Sequence, residues 1–171
     1  MLGHTGLTFV VVIPDVDESV LVDEQPAEYV ERVARAKAAS VNGGVVLAAD
    51  TTVVIDGEIL GKPSDPAEAR SMLAGLQGRS HLVYTAVAVH AGSEIDAQVV
   101  RTEVRMAPMS PATIDWYVGT GEPLDKAGAY GLQGIGMAFV AAVSGSVSNV
   151  IGLPLDTTLD LLARHGITVV S

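Results

Sequence analysis

The 171-residue sequence predicts an α/β fold with a mixed sheet and flanking helices. Short apolar runs typical of buried strands alternate with segments of helical periodicity along the chain. A long antiparallel hairpin predicted over Gly92-Ser93 excludes a purely parallel sheet. The length is close to that of one domain and there is no internal repeat or linker, so we expect residues 1–171 to form a single domain or two lobes that share a core.

The first half of the chain is predicted to hold two buried strands, two helices and a tight hairpin. The apolar runs Phe9 to Pro14 and Val45 to Ala49 favour strands. Pro26 is typical of a first helical position, and the apolar periodicity after it predicts a helix to about Ser40. Alternation around Asp56-Gly57 predicts the hairpin, and Pro66 begins the second helix.

The second half continues the same alternation. The segments on either side of Gly92-Ser93 alternate between apolar and polar residues, which predicts the long hairpin with one solvated face. Pro111 and Pro154 mark the starts of two further helices. The apolar runs MAFVAAV and ITVV, which starts at Ile167, predict a buried strand and a closing strand.

Composition excludes several classes of function. Twenty acidic residues against ten basic ones give a net charge of -10, which disfavours binding to duplex nucleic acid or anionic membranes. Aromatic residues are only 4% of the chain, so a base-stacking RNA surface is not expected. The absence of cysteine excludes disulfides, thiolate metal sites and a thiol nucleophile. No apolar run is long enough for a membrane span, and we expect a cytoplasmic protein.

Asp50 is the strongest candidate for chemistry. It directly follows the apolar run VVLAA, where burial perturbs a carboxylate and where a ligand site at a strand end is expected. The alternative is a cap of a helix or turn, but the residues that follow are predicted to continue as a strand. We therefore favour a functional role for Asp50.

Two lysines are candidate phosphate ligands. If Asp56-Gly57 is the two-residue turn, residue numbers of paired positions add to 113, which places Lys62 opposite Thr51 and diagonal to Asp50. On spacing alone, a solvated loop end is the commoner place for such a lysine. Lys37 lies on the apolar side of the first helix, where it either extends past the core to solvent, which is the commoner outcome, or points into a cleft.

Two further polar residues have less specific signals. Glu24 lies in an acidic stretch that is solvated by default, although together with Asp50 it could hold Mg²⁺. Gln133 lies between glycines and can both donate and accept, as contact with a base edge requires, although a turn residue is the simpler interpretation. The four histidines lack metal-ligand spacing, and no Gly-rich phosphate-binding motif is present.

Several linked motifs resemble the Maf family of nucleoside triphosphate pyrophosphatases. They are AADTTVVIDGEILGKP, GRSHLVYTAVAV, DKAGAYGLQG and SVSNVIGLPL, and EQPAEYVERVARAKA resembles the family's lysine-bearing helix. The resemblance runs from about Val12 to the C-terminus. It implies a Maf/ITPase-like fold of two lobes around a central cleft, a homodimer, and hydrolysis of a nucleoside triphosphate to its monophosphate and pyrophosphate.

The resemblance also implies roles for individual residues. Asp50 would accept a proton from water, and Lys37 and Lys62 would hold phosphates. Glu24 and Asp50 would face a divalent cation, Mg²⁺ or alternatively Mn²⁺ or Co²⁺. Thr51 and Gln133 match the subgroup that prefers dTTP and UTP to 7-methyl-GTP.

One departure from the family concerns the start of the chain. Members begin with a strand and an SxSPRR loop whose arginine grips phosphate, whereas here no arginine or lysine precedes Arg32. The expectation is therefore an N-terminally shortened member with weakened triphosphate binding and reduced activity. Two alternatives stay open: a catalytically impaired nucleotide-binding or regulatory homologue, and a small α/β scaffold that serves oligomeric contact.

Overall fold

The computed structural model describes residues 1–169, without the side chain of His4. Its sheet is open and has five strands in the order β2-β1-β3-β4-β5. The regular elements, apart from short 3₁₀ turns, are α1 (Pro26–Ser40), β1 (Val45–Ile55), β2 (Glu58–Leu60), α2 (Pro66–Leu76), β3 (Ser80–Ala91), β4 (Glu94–Met106), α3 (Pro111–Gly119), β5 (Val140–Ser144), α4 (Val147–Ile151) and α5 (Leu155–Arg164). The predicted α/β class with flanking helices is confirmed.

The chain forms two compact units. Unit 1 comprises Met1–Asp50, Thr85–Val100 and the residues from Gly152 onward, and unit 2 comprises Thr51–Tyr84 and Arg101–Ile151. The three long strands β1, β3 and β4 therefore each contribute residues to both units.

Each unit has its own apolar cluster. In unit 1, side chains of β3 and α5 pack together: Val87, Val89, Leu161 and Leu162. In unit 2 the cluster is larger and centres on α2, α3 and the sheet. Its most buried large side chains are Leu73, Leu76, Val83, Val104, Met106 and Tyr117.

Three predicted helix starts, at Pro26, Pro66 and Pro111, are confirmed, and α5 begins one residue later than predicted, at Leu155 after Pro154. In α1, Pro26 is the first residue and a capping box joins Gln25 and Glu28. In α2, the Asp65 carboxylate accepts hydrogen bonds from the N–H groups of Ala67 and Glu68, at 2.7 and 2.8 Å. These bonds satisfy donors that have no partner within the helix.

The predicted hairpin register is confirmed over its first three pairs. Val53, Val54 and Ile55 of β1 lie opposite Leu60, Ile59 and Glu58 of β2 in an antiparallel ladder. The ladder ends there, because β2 stops at Leu60 and the next carbonyl, that of Gly61, accepts instead from the N–H of Gly128 at 3.0 Å. The register therefore does not extend to the predicted pair of Thr51 and Lys62.

Two strand predictions are wrong and a third needs correction. The segment Phe9 to Pro14 is irregular, and its side chains are largely exposed, with Val10 at 88% and Ile13 at 92%. A strand needs a partner to complete its hydrogen bonds, and an apolar run does not supply one.

At the C-terminus, residues 167–169 are not a strand, since the N–H of Ile167 bonds back to the carbonyl of Leu162 at the end of α5. The last two residues lie outside the described part of the chain. The buried strand predicted for the run MAFVAAV needs correction. The observed strand, β5, begins only at Val140. It lies at the edge of the sheet, and its side chains are partly exposed.

No helix among the described residues is both long and apolar enough to cross a membrane.

We predict that Asp65→Ala lowers the free energy of unfolding by about 1 kcal/mol, because two N–H groups at the start of α2 lose their acceptor. Asp65→Asn is the matched control, since its amide oxygen still caps the helix. Urea unfolding followed by the fluorescence of Trp116, the single tryptophan, measures both. Equal losses in the two variants would contradict a capping role for Asp65.

Candidate functional site

Unit 1 contains a buried ion pair between a helix and the first strand. Asp50 lies within β1 and is only 7% exposed, and the ammonium nitrogen of Lys37 donates to its Oδ1 at 2.7 Å. Lys37 reaches this position because it lies on the same side of α1 as Val30 and Val33, which are fully buried. The solvent-directed placement that is commoner for such a lysine is therefore wrong here, and the Lys37 side chain points inward.

A second carboxylate joins this pair. Oε1 of Glu18 lies 2.8 Å from the Lys37 nitrogen, and the Glu18 side chain is about half exposed, at 47%. The irregular segment that carries Glu18 is tied to α1, because the Tyr29 hydroxyl donates to the Glu18 carbonyl and the Arg32 guanidinium donates to the Ser19 carbonyl. We call Glu18, Lys37 and Asp50 the acidic–lysine cluster.

The two carboxylates of this cluster stabilise the charged form of Lys37. Burial alone would lower the pKa of Lys37, but the hydrogen bonds from its ammonium to Asp50 and Glu18 outweigh burial and raise it. Burial, followed by the negative charges of Asp50 and Glu18, also raises the pKa of the neighbouring Tyr29. At neutral pH the cluster therefore holds a cation between two carboxylates.

The cluster opens onto a cavity within unit 1. The cavity has a volume of about 860 Å³ and is lined by residues 7–14 and 41–49 together with Glu18 and Lys37. This volume falls in the range of small-molecule sites. Most of the lining is apolar, and the charged groups of the cluster can orient a polar ligand there.

Glu24, which the sequence suggested as a cation ligand beside Asp50, instead forms an ion pair with Arg32. Its two carboxylate oxygens accept from Nε and Nη2 of Arg32 at 2.6 and 2.8 Å, and one of them also accepts from the N–H of Leu21. The Arg32 guanidinium lowers the pKa of Glu24 to about 2, against the smaller opposing effect of burial. This arrangement fastens the segment before α1.

The other three predicted residues lie in unit 2. Thr51 follows Asp50 in β1 and is partly buried, Lys62 is exposed just beyond the end of β2, and Gln133 is exposed in a turn between Gly131 and Gly134. These positions leave the functional groups of Lys62 and Gln133 accessible to a ligand.

Sequence reasoning missed Glu18. It identified Asp50 and Lys37 because one follows an apolar run and the other has the phase of a helix face. Glu18 lies in an irregular acidic segment where no periodicity distinguishes it from its neighbours Asp15 and Asp17. Its only sequence signal is membership of that acidic run.

No group of three or more histidine, cysteine or acidic side chains suited to a metal ion is found within residues 1–169. Two carboxylates nevertheless lie close together in the acidic–lysine cluster, since Asp50 and Glu18 both contact the same nitrogen. Mg²⁺ typically binds one or two protein carboxylates together with substrate phosphates, so this donor set fits such an ion.

Comparison with known proteins gives a consistent result. A family model described as "Maf-like protein" matches residues 1–165. A dTTP/UTP pyrophosphatase of Anaeromyxobacter dehalogenans (strain 2CP-C) is 58% identical over 171 residues, covering 97% of this chain and 88% of that protein. Proteins of the same name from Symbiobacterium thermophilum and Myxococcus xanthus (strain DK1622) are 51% and 48% identical, covering 97% and 98% of this chain and 88% and 87% of theirs.

We predict that Glu24→Gln destabilises the protein at neutral pH more than Glu18→Gln does, because Glu24 anchors Arg32 whereas Glu18 is half exposed. The folded-state pKa of Glu24, about 2, lies below the ordinary value of 4.5. Its contribution is therefore complete above pH 4.5 and is lost as the pH falls toward 2.

The difference in urea midpoint between the parent protein and Glu24→Gln should accordingly narrow below pH 4.5. A difference that stays constant with pH, or a larger loss in Glu18→Gln, would contradict this structural role of Glu24.

Proposed function

Since the chain belongs to the Maf family, we propose that it is a nucleoside triphosphate pyrophosphatase that acts on dTTP and UTP. The resemblance inferred from the sequence motifs is thereby confirmed at the level of the family. The observation that carries the proposal is the buried Asp50, held by Lys37 beside a cavity large enough for a small molecule, in a relative of enzymes with this activity.

In this reaction the chain's residues handle a proton and negative charge. Water attacks the α phosphorus. The bond from that phosphorus to the oxygen that bridges the α and β phosphates breaks, and pyrophosphate leaves with the bridging oxygen. We assign to Asp50 the acceptance of the proton from water, since a carboxylate is a competent general base when it is correctly placed. Lys37 offsets the charge of Asp50 before substrate binds. The resemblance to the family implies a phosphate-binding role for the ammonium group of Lys37 and for that of Lys62.

A divalent cation fits this chemistry. Bound with substrate, Mg²⁺, or alternatively Mn²⁺ or Co²⁺, would neutralise charge on the phosphates and favour departure of pyrophosphate. Asp50 was predicted as one protein ligand and Glu24 as the other. The contacts of Glu24 with Arg32 lead us to propose Glu18 as the second carboxylate instead, since it already lies near the same ammonium as Asp50.

Base selection would rest on Thr51 and Gln133. A pyrimidine such as thymine or uracil presents carbonyl acceptors and an N–H donor on one edge. The Gln133 amide can match both kinds of group, and its exposure leaves it free to approach a base.

A homodimer and a cytoplasmic location remain predictions. Light scattering coupled to size-exclusion chromatography tests the first, and a fluorescent fusion in the source cell tests the second.

We predict that Asp50→Asn keeps the fold and lowers kcat on dTTP by ~10² or more, because an amide does not accept the proton from water. Asp56→Asn is the matched control: Asp56 lies in the exposed β1–β2 turn with a positive φ that asparagine tolerates. Pyrophosphate release measures both. Asp50→Asn with a kcat within a few fold of the parent value would contradict the role of Asp50.

Gln133→Glu should change the order of preference among dTTP, UTP and 7-methyl-GTP. The substitution replaces the amide's donors with acceptors, so the base edge that matched the amide is no longer matched. Comparing kcat/KM for the three nucleotides checks this. An unchanged order would show that Gln133 does not contact the base.

A further inference from the structure

The turn that carries Gln133 is held to the core of unit 2 by one carboxylate. Oε2 of Glu122 accepts from the N–H of Ile135 at 2.8 Å, and Oε1 accepts from the N–H of Gly136 at 2.9 Å. Glu122 thereby binds two successive backbone donors directly after the turn.

Tyr117 completes this anchor from α3. Its hydroxyl donates to Oε1 of Glu122 at 2.9 Å, and its ring is fully buried and packs against Phe139 with ring centres 5.0 Å apart. Burial, followed by the neighbouring Glu122 carboxylate, raises the pKa of Tyr117, so the hydroxyl keeps its proton and remains a donor.

The glycines around Gln133 fit closely against these two side chains. A Cβ added at Gly134 would lie 2.5 Å from Oε2 of Glu122, and one added at Gly136 would lie 2.5 Å from the Tyr117 hydroxyl and 2.7 Å from the Gly131 carbonyl. All three distances are too short for a contact of a carbon atom. The turn can therefore approach the anchor only because these positions are glycine.

The other side of the turn is fastened as well. Tyr130 is buried, and its hydroxyl lies 2.7 Å from Nε2 of His81, which is 3% exposed. The two rings meet edge to face with centres 5.4 Å apart. Gln133 is therefore an exposed residue in a turn whose flanking residues on both sides are bonded to the core of unit 2.

We propose that Glu122 is a positioning residue for base selection: it fixes the turn of residues 131–134 so that the Gln133 amide meets the base in one orientation. The inference rests on the proposed function, in which Gln133 contacts the base. A fixed amide discriminates between bases because the wrong edge leaves its donors or acceptors unpaired, whereas a mobile amide can rotate to suit either edge.

The test compares dTTP with dCTP, whose bases differ in the donors and acceptors of that edge. Glu122→Gln should lower the ratio of kcat/KM for dTTP to that for dCTP by about tenfold, through a higher KM for dTTP with kcat within about threefold of the parent value. Tyr117→Phe, which keeps the ring and removes one donor, should lower the same ratio by a smaller factor. Glu103→Gln, an exposed glutamate of unit 2, is the control for the charge change.

Hydrogen–deuterium exchange supplies a readout that is independent of turnover. The amides of Ile135 and Gly136 should exchange faster in Glu122→Gln than in the parent protein, and Gln133→Ala should leave them unchanged. A matching circular dichroism spectrum and melting temperature for each variant show that it is folded.

The outcomes separate the two proposals. If Gln133→Ala lowers the dTTP to dCTP ratio and Glu122→Gln does not, the positioning role of Glu122 is wrong and the proposed function stands. If neither variant changes the ratio, or the parent turns over no nucleotide, base reading by Gln133 fails and the positioning role fails with it. A uniform loss of kcat in Glu122→Gln with an unchanged ratio also overturns the positioning role.

Discussion

A carboxylate that is almost completely buried needs a positive partner, and much of unit 1 follows from meeting that need at Asp50. Asp50 lies in a strand directly after the apolar residues 45–49 and is only 7% exposed, so its charge has little access to water. Lys37 supplies the partner only because α1 has the phase that places Val30, Val33 and Lys37 on one side. The irregular segment before α1 then adds Glu18 to the same ammonium, and the contact between Arg32 and Glu24 fastens that segment.

In unit 2, the position of the candidate base-contacting residue, Gln133, is fixed in a different way. The Gln133 side chain is exposed and uncharged, so its position depends on the backbone that carries it. Glycines allow that backbone to lie against Glu122 and Tyr117, and hydrogen bonds from backbone N–H groups to a carboxylate hold it there. Burial alone would raise the pKa of Glu122. The hydrogen bonds from these N–H donors and from the Tyr117 hydroxyl outweigh burial and keep the pKa below its usual value. The carboxylate therefore stays ionised and remains an acceptor.

Local rules predicted the parts of the structure that depend on local geometry. Counting outward from the Asp56-Gly57 turn predicts the observed pairing of residues 53–55 with residues 58–60. Pro26 correctly marks the start of α1. The exposed segment Phe9 to Pro14 was mistaken for a strand because apolar content does not show whether a partner strand is present. The sequence also does not predict that Glu18 pairs with Lys37 whereas Glu24 pairs with Arg32. Both lie in irregular backbone, where only the three-dimensional path decides which carboxylate meets Lys37 and which meets Arg32.

The most direct test of the proposed reaction is to identify its products. The parent protein is incubated with dTTP and Mg²⁺, and the nucleotide and phosphate products are separated by ion-exchange chromatography and quantified. Cleavage between the α and β phosphates predicts dTMP and pyrophosphate in equal amounts, with no dTDP. Accumulation of dTDP with orthophosphate, or no turnover of dTTP and UTP with any of Mg²⁺, Mn²⁺ and Co²⁺, would contradict it.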